Sequence, residues 1–250
     1  METLSVRSVS RDRWLEAQAW ERELWVTSQQ RRGWRRVAWP VLKPVLRASG
    51  WHRAWGDDWN HWWADQFDQY GFLPEELGDY IEVGCGPYTN TRVILPGRSA
   101  GRVVCSDPLI ETYVSFRDRW LATAHRAGRI ETDAHPIEEL PFEAGSFDTL
   151  VMINVLDHVR DADRCLEVVT GLLRPGGALV LGQDLSDADD VRSHPEDVGH
   201  PIRLALEDVE RHLEGFEPIL RKNLSRDAGR EPRLHYGTLV YAGVKSRALG

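Results

Sequence analysis

The sequence contains little sulfur, with three cysteines and two methionines in 250 residues. The cysteines Cys85, Cys105 and Cys165 are odd in number, and no two of them lie close together in the chain. A disulfide framework needs paired cysteines, and structural zinc sites use closely spaced ones. The cysteine pattern therefore argues against both kinds of site.

Long apolar runs are also lacking. Charged residues from Arg7 to Arg13 interrupt the first residues, and no stretch of about 18 apolar residues follows later. We therefore expect no transmembrane segment and a cytoplasmic protein. The net charge of -8 is opposite to the basic footprint of general nucleic-acid-binding proteins, so we expect no nucleic-acid partner.

One part of the chain contains no acidic residue. From Leu24 to Gly56 there is no Asp or Glu, whereas several arginines and Lys43 fall in this stretch. Such a pattern fits a solvated helix face, and it also fits a surface for a phosphate group, a membrane or a partner.

Tryptophan, in contrast, is concentrated before residue 78. Helical spacing predicts a helix from Arg11 to Gln29, and Pro40 and Pro44 are expected to interrupt the chain after it. From Trp55 to Tyr70, aromatic residues recur every three or four positions, which fits either core packing or an aromatic wall above a ligand pocket. We interpret residues 1–78 as a Trp-rich helical extension and residues 79–250 as the main domain.

Beyond residue 79, short apolar strands alternate with helices. Strands are predicted at 80–83, 101–107, 129–132, 147–153 and 178–182, and helices at 89–95, 111–127, 162–173 and around 204–213, with a tight turn at 174–177. This alternation indicates a mainly parallel sheet with helices on both faces. Two further strands, 217–224 and 235–245, leave no room for a helix between them and predict an antiparallel pair at one edge.

A candidate cofactor loop follows the first strand. Glu82 ends an apolar run, and the following Gly84-Cys85-Gly86 predicts a tight turn where the backbone approaches a ligand closely. A dinucleotide site would have a third glycine at the position of Thr89, so the loop argues against NAD. Asp107 ends the second strand, where a carboxylate can accept hydrogen bonds from both hydroxyls of a ribose.

Five motifs in order resemble the class I S-adenosylmethionine-dependent methyltransferases. They are Glu82–Gly86, Asp107, Glu138–Phe142 ahead of Gly145–Asp148, Asn154–Val159, and Leu173–Gly177. The resemblance runs from about residue 79 to residue 183 and extends to bacterial sugar and polysaccharide-pathway and small-molecule O-methyltransferases. It implies an α/β fold with a Rossmann-like, doubly wound, seven-stranded sheet whose last pair is antiparallel. It also implies S-adenosylmethionine as the cofactor.

The resemblance also implies roles for single residues in cofactor binding. The implied set is Gly84, Cys85 and Gly86 at the methionine part with Glu82 close by, Asp107 at the ribose with Pro108 beside it, Ile137 and Glu138 at the adenine edge, and Asn154 at the methionine moiety. Many relatives have an Asp-Ala pair at the adenine edge, whereas this chain has Pro136-Ile137. Asp133 or a backbone contact is the alternative partner of the adenine amino group.

Transfer of a methyl group to a hydroxyl requires that the hydroxyl lose its proton, so the site needs a base or a metal ion. In sugar and natural-product relatives, a histidine just after the fourth strand and an acid just after the fifth act as base and orienting residue. His158 and Asp184 are the nearest matches here, and Asp157 is the alternative occupant of the histidine position. Asp157 and Asp184 are also candidate ligands of Mg²⁺, which prefers oxygen donors.

The predicted partner is a small polar molecule, with a saccharide or glycosylated metabolite favoured. The candidate substrate contacts are Trp59, Tyr88, His194, His200 and Arg203. Other hypotheses are N- or C-methylation of a non-sugar metabolite, and a cofactor-binding partner protein without transfer activity. An oligomer is compatible with all of these.

Overall fold

A computed structural model describes residues 5–30, 33–48, 56–193 and 197–247. Seven strands form one sheet: β1 (Asp79–Val83), β2 (Arg102–Ser106), β3 (Glu131–Asp133), β4 (Phe147–Ile153), β5 (Leu173–Leu185), β6 (Phe216–Ser225) and β7 (Gly237–Lys245). Their order in the sheet is β3-β2-β1-β4-β5-β7-β6. The strands β1 to β5 are parallel, whereas β7 runs antiparallel to both β5 and β6. The predicted seven-stranded α/β sheet with an antiparallel C-terminal pair is confirmed.

The helices surround this sheet. They are α1 (Arg11–Gln30), α2 (Gly33–Ala48), α3 (His61–Gln66), α4 (Thr91–Ile94), α5 (Ile110–Val114), α6 (Trp120–Arg126), α7 (Ala162–Leu172), α8 (Ala188–Ser193) and α9 (Leu206–Glu210). None of the helices that the structure describes combines the length and apolar character of a membrane span.

The central strands are apolar on both sides because both faces of the sheet are covered. In β4, Leu150 and Met152 pack with residues of α7, while Val151 between them packs on the other face. Val151 lies there with Trp63 and Phe67 of the segment that precedes β1. This alternation follows from the two-residue period of a strand, and it explains why β4 reads as a continuous apolar run.

The segment before the sheet does not form the single aromatic helix suggested by its spacing. Trp55 lies outside the described residues, and α3 is flanked by 3-10 turns at Gly56–Asp58 and Asp68–Tyr70. Asp68, Gln69 and Tyr70 have positive φ angles of 50°, 55° and 58°, which end the right-handed helix. The prediction that Pro40 and Pro44 interrupt the chain is also wrong, because α2 continues through both. A proline inside a helix removes one N–H donor and crowds the carbonyl four residues earlier, which distorts a helix without necessarily ending it.

Two predictions within the main domain need correction. The helix predicted at 111–127 is broken into α5 and α6, and Arg119 before α6 is extended, with φ -100° and ψ 151°. The break turns the Arg119 guanidinium inward, where it donates to the Gln29 side-chain oxygen at 3.0 and 3.1 Å. Strand β5 begins at Leu173 and includes the predicted turn at 174–177. Arg174 holds this segment in place through Asp79 at 3.0 Å and through Asp148.

The N-terminal residues return to the carboxyl edge of the sheet. Val6 pairs with Arg203 and Ser8 pairs with Asp161 as isolated antiparallel bridges before α1 begins. Arg13 of α1 donates to the carbonyl oxygens of Asp197 and Val198 at 2.9 and 3.0 Å. These contacts place α1 across the strand ends that carry the predicted site.

Candidate active site

One cavity of about 430 Å³ lies at the carboxyl edge of the parallel strands, beneath α1. Its walls come from the loops after β1, β2, β4 and β5, from α1, and from the segment before β7. Parallel α/β sheets bind ligands at this edge. The cavity therefore lies where the sequence predicts the cofactor loop and the catalytic residues.

The glycine loop after β1 fits closely against its neighbour. Gly84 has φ +63°, and a Cβ there would lie 2.4 Å from a methyl carbon of Val155. Gly86 has φ +58°, and its N–H donates to Asp107 at 3.0 Å. Gly84, Cys85 and Gly86 all line the cavity. A side chain at Gly84 would clash with Val155, so the close contact between the loop and Val155 requires a glycine there.

Glu82 lies under this loop and is only 1 % exposed. Its carboxylate accepts backbone N–H groups of Asn90 at 2.9 Å and Thr91 at 2.8 Å, and it also accepts the hydroxyls of Thr89 and Thr91. It does not line the cavity. Glu82 therefore orders the loop between β1 and α4. Thr89, which stands where a dinucleotide site would have its third glycine, donates its hydroxyl hydrogen bond to this carboxylate.

Asp107 lines the cavity at the end of β2. Its carboxylate accepts the N–H groups of Gly86 and Leu109 at 3.0 and 2.8 Å. Burial, followed by the nearby Glu21 carboxylate, raises the pKa of Asp107 to about 7. Asp107 thus presents an acid of unusually high pKa to a ligand, and its neighbour Pro108 lies in the same wall.

The residues predicted for the adenine edge line the cavity, and the carboxylates considered there are hydrogen-bonded within the protein. Pro136, Ile137 and Glu138 line the cavity. Glu138 accepts the N–H groups of Arg160 and Asp161 at 2.9 and 3.0 Å, so it caps the segment before α7. The suggested alternative, Asp133, accepts from the N–H of the neighbouring residue His135 and is not part of the cavity wall.

Asn154 after β4 and Asp184 near the end of β5 form a polar corner of the cavity. Asn154 has a φ of +56°, and its N–H donates to the Gly182 carbonyl at 2.7 Å. The Asp184 carboxylate accepts the Thr238 hydroxyl at 2.7 Å, and the Arg230 guanidinium lies 3.7 Å away. Burial raises the pKa of Asp184, while the positive charge of Arg230 opposes that rise. Asp184 is therefore held by the C-terminal part of the chain.

A second group, here called the Asp157 cluster, comprises Asp157, His158 and His200. One ligating atom of each residue lies within 4.8 Å of the others. His158 and His200 line the cavity, and Asp157 lies buried behind them. Burial opposes ionisation of Asp157, but the imidazoles of His158, His200 and His235 outweigh it and hold the pKa of this carboxyl at about 2. Asp184 is not a member of this three-residue group, and the Mg²⁺ pair of Asp157 and Asp184 stays a prediction.

The tryptophans divide between the two roles that the spacing suggests. Trp62 and Trp63 are buried in the core beside the sheet. Trp25 and Trp59 form an aromatic wall with Tyr88, with ring centroids 5.4 Å apart for Trp25–Trp59 and Trp25–Tyr88. Core packing and a cavity wall are therefore both present.

The predicted substrate residues separate in the structure. Trp59, Tyr88 and His200 line the cavity. Arg203 does not, because its guanidinium lies 3.2 Å from Asp197, which in turn holds His200. His194 lies outside the described residues.

Sequence reasoning missed Glu21, a residue of α1 that lines the cavity. Its carboxylate accepts the Trp25 indole N–H at 3.1 Å and the Tyr113 hydroxyl at 3.2 Å, and it lies 3.6 Å from His158 Nδ1. Gln18, Glu21 and Trp25 recur at helical spacing on one face of α1. This mixed polar and aromatic face could have indicated that α1 lines a ligand cavity, since a helix face that only packs on the core would be apolar.

Comparison with known proteins agrees with this geometry. Residues 81–181 match a family model described as a methyltransferase domain. The chain is 25% identical over 204 residues to 27-O-demethylrifamycin SV methyltransferase of Amycolatopsis mediterranei, a match that covers 70% of this chain and 72% of that protein. A shorter segment of 104 residues is 38% identical to tRNA U34 carboxymethyltransferase of Methylococcus capsulatus and covers 40% of this chain but only 30% of that protein.

A solved structure shows the same fold. It is 1,6-didemethyltoxoflavin-N1-methyltransferase of Burkholderia thailandensis, with 1,6-didemethyltoxoflavin and S-adenosylhomocysteine bound. The TM-score is 0.51 at 20% identity, and the match covers 74% of this chain and 76% of that chain.

Proposed function

We propose that the chain, a class I S-adenosylmethionine-dependent methyltransferase whose residues 81–181 match a methyltransferase domain, methylates a hydroxyl of a small polar acceptor, with a saccharide or glycosylated metabolite favoured. The observation that carries this proposal is the Asp157 cluster, which opens on the same cavity as Asp107 and the glycine loop. A hydroxyl placed there has both a cofactor site and groups that accept its proton within one enclosed space.

The residues present fit the cofactor. At Gly86 no atom lies within 4 Å of a Cβ position, so a ligand can approach the backbone there, and Asp107 offers a carboxylate at the position where a ribose diol is bound in this fold. Glu21 and Asp107 bring negative charge to the cavity, which suits a cationic ligand. S-adenosylmethionine supplies a methyl group attached to a positively charged sulfur.

The chain's own residues supply the proton transfer. In the proposed mechanism, the His158 imidazole accepts the proton of the acceptor hydroxyl. The buried Asp157 carboxylate, 3.9 Å from His158 Nε2, stabilises the resulting positive charge. Asp184 and Arg230 lie in the same wall and orient the acceptor through hydrogen bonds. The aromatic wall excludes water from this region and offers flat faces to an acceptor ring.

The rifamycin relative supports O-methylation, because its name describes methylation at an oxygen of a small natural product. The saccharide preference rests on the combination of flat aromatic faces with the polar corner at Asp184, Arg230 and His200. N-methylation is the alternative, and the toxoflavin enzyme of the same fold acts at a nitrogen.

An acceptor panel tests this proposal. The full chain is incubated with labelled S-adenosylmethionine and matched acceptors: glycosylated metabolites, their aglycones, and analogues in which one hydroxyl is replaced by hydrogen or by an amine. We expect label transfer to a glycoside that is lost when the hydroxyl is replaced by hydrogen. Transfer only to the amine, or only to carbon, would contradict O-methylation. Transfer to aglycones alone would contradict the saccharide preference.

A further inference from the structure

The Asp157 cluster directs three donor atoms toward one point. Asp157 Oδ2 lies 3.9 Å from His158 Nε2 and 3.9 Å from His200 Nε2. The two rings lie close together, with centroids 4.6 Å apart. One carboxylate oxygen and two imidazole nitrogens thus converge at the cavity wall.

The carboxylate oxygen in this group has no hydrogen-bond partner among the described residues. Asp157 is only 4 % exposed, and its other oxygen, Oδ1, accepts from Gln183 at 3.3 Å. A buried, ionised carboxylate oxygen is costly unless a cation or donor meets it. The unpartnered atom is the one that faces the two imidazoles.

A carboxylate also lies near the Nδ1 atom of each imidazole. Asp197 is hydrogen-bonded to His200 Nδ1 at 2.9 Å, whereas Glu21 lies 3.6 Å from His158 Nδ1, which has no hydrogen-bond partner among the described residues. A carboxylate at Nδ1 favours a proton on that nitrogen and leaves the Nε2 lone pair available. Histidines that bind metal ions are oriented in this way by outer carboxylates.

We propose that Asp157, His158 and His200 form a binding site for a divalent transition metal ion, with Zn²⁺ as the representative probe. Two imidazoles and one carboxylate suit Zn²⁺ and its neighbours, whereas Mg²⁺ favours sites made of oxygen ligands. Three protein ligands leave a further coordination position toward the cavity, because His158 and His200 are part of its wall. The site differs from the Asp157–Asp184 pair by including both histidines and excluding Asp184.

The metal ion competes with the proposed reaction. Coordination uses the same imidazole lone pairs that would accept the acceptor proton, so a bound Zn²⁺ ion inhibits methyl transfer. The binding site itself rests on the geometry alone, and only this inhibitory effect rests on the proposed function.

Metal binding is measured first without any acceptor. Zn²⁺ is titrated calorimetrically into the metal-free full chain, and Co²⁺ is titrated with detection of its visible absorption bands. We expect one ion per chain. Asp157→Asn and His200→Ala should abolish this binding, and Asp197→Asn should weaken it about 10–100-fold as an outer-shell change. His125→Ala is the matched control, because His125 lies on α6 outside the cavity.

Binding of S-adenosylhomocysteine to each variant verifies that it is folded. No saturable binding to the wild-type chain, or equal binding by His200→Ala and wild type, would overturn the metal site.

In the activity assay, saturating Zn²⁺ should lower turnover by about 100-fold or more, which is the scale of lost general-base catalysis. Turnover should recover in EDTA, and an equal concentration of Mg²⁺ should have no effect. Stoichiometric binding with undiminished turnover would overturn the inhibition. If methyl transfer itself is not found, the calorimetric result still decides the metal site.

Discussion

In the proposed cofactor site, the single residue Asp107 makes cofactor binding depend on pH. Its pKa is raised to about 7, first by burial and then by the Glu21 carboxylate. A ribose diol donates hydrogen bonds to the ionised form, so the bound state favours loss of the proton. The unliganded protein near neutral pH therefore contains a mixture of protonated and ionised Asp107.

We predict that S-adenosylhomocysteine binding releases protons near pH 7 and weakens as the pH falls below 7. Calorimetry at one pH in buffers of different ionisation enthalpy measures the release. Glu21→Gln should reduce it, because removal of the Glu21 charge lowers the pKa of Asp107. Glu16→Gln, on an exposed part of the same helix, is the control. A binding enthalpy independent of the buffer would contradict the role of Asp107.

The same pKa predicts an effect on stability. The folded-state pKa of Asp107 lies above the unfolded value of 3.8, so the unfolded chain loses this proton first. The resulting destabilisation develops as the pH rises from about 4 to about 7 and is complete above 7. Asp107→Asn should therefore raise the melting temperature of the unliganded protein at pH 8 but not at pH 4, while it weakens cofactor binding. Equal shifts at both pH values would refute this account.

His158 carries the proposed proton transfer. Its replacement by Ala should lower kcat by about 10²–10⁴-fold, the usual contribution of a general base. Because the glycine loop and Asp107 remain intact, affinity for S-adenosylhomocysteine should change little. His61→Ala is a suitable control, because His61 contacts the Asp58 carbonyl and does not line the cavity. A variant at His158 that keeps full turnover would remove the base assignment.

At the scale of elements, α1 connects the two halves of the cavity. Its Trp14 and Gln18 side chains donate to the His158 carbonyl at 3.2 and 3.3 Å. Further along the helix, Gln29 donates to the Tyr88 hydroxyl at 2.8 Å and accepts from Arg119. Helix α1 is therefore fastened to the residues after β4, to the loop after β1 and to the break between α5 and α6.

Arg13 fastens α1 to the segment that carries His200. Arg13→Ala removes the hydrogen bonds to the Asp197 and Val198 carbonyls and should speed the dissociation of S-adenosylhomocysteine by several-fold, with a small loss of stability. Stopped-flow tryptophan fluorescence measures the rate, since five tryptophans of the N-terminal region line the cavity. Arg11→Ala, on the same turn, is the control. Unchanged dissociation in Arg13→Ala would show that this attachment does not limit ligand release.

At the scale of the whole molecule, much of the fold was predictable from the sequence. Strands that are covered on both faces are continuous apolar runs, and β4 is the clearest case. The residues at the ends of these strands were predictable for the same reason, since parallel strands bring their carboxyl ends to one edge. Asp107 was predicted in this way, whereas the candidate roles of Asn154, His158 and Asp184 came from the resemblance to the methyltransferase family.

The remaining parts of the site depend on long-range packing. Glu21 reaches the cavity only because α1 folds back over the sheet, and no local pattern specifies that return. Arg230 and His235 come from the connection between β6 and β7, whose path depends on the packed sheet. The break at Arg119 is likewise stabilised by Gln29, a residue 90 positions away in the chain. Local spacing alone therefore predicted a continuous helix there.

Core packing joins the N-terminal segment to the sheet. A Cβ at Gly182 in β5 would lie 2.6 Å from a ring carbon of Trp63. Gly182→Ala should therefore destabilise the protein by about 1–3 kcal/mol, as overpacking of a filled core does. Denaturant unfolding measures the loss, and Gly171→Ala, with open space at the Cβ position, is the control. A loss no greater than that of the control would show that the indole moves aside freely.

The position of Glu21 has a kinetic consequence. The Glu21 side chain lies 3.6 Å from the proposed base His158, and it is close enough to Asp107 to raise the pKa of that carboxyl. The proposed cofactor site and the proposed acceptor site are therefore both covered by α1. Direct methyl transfer within this one cavity requires the cofactor and the acceptor to be bound at the same time. We therefore expect sequential kinetics.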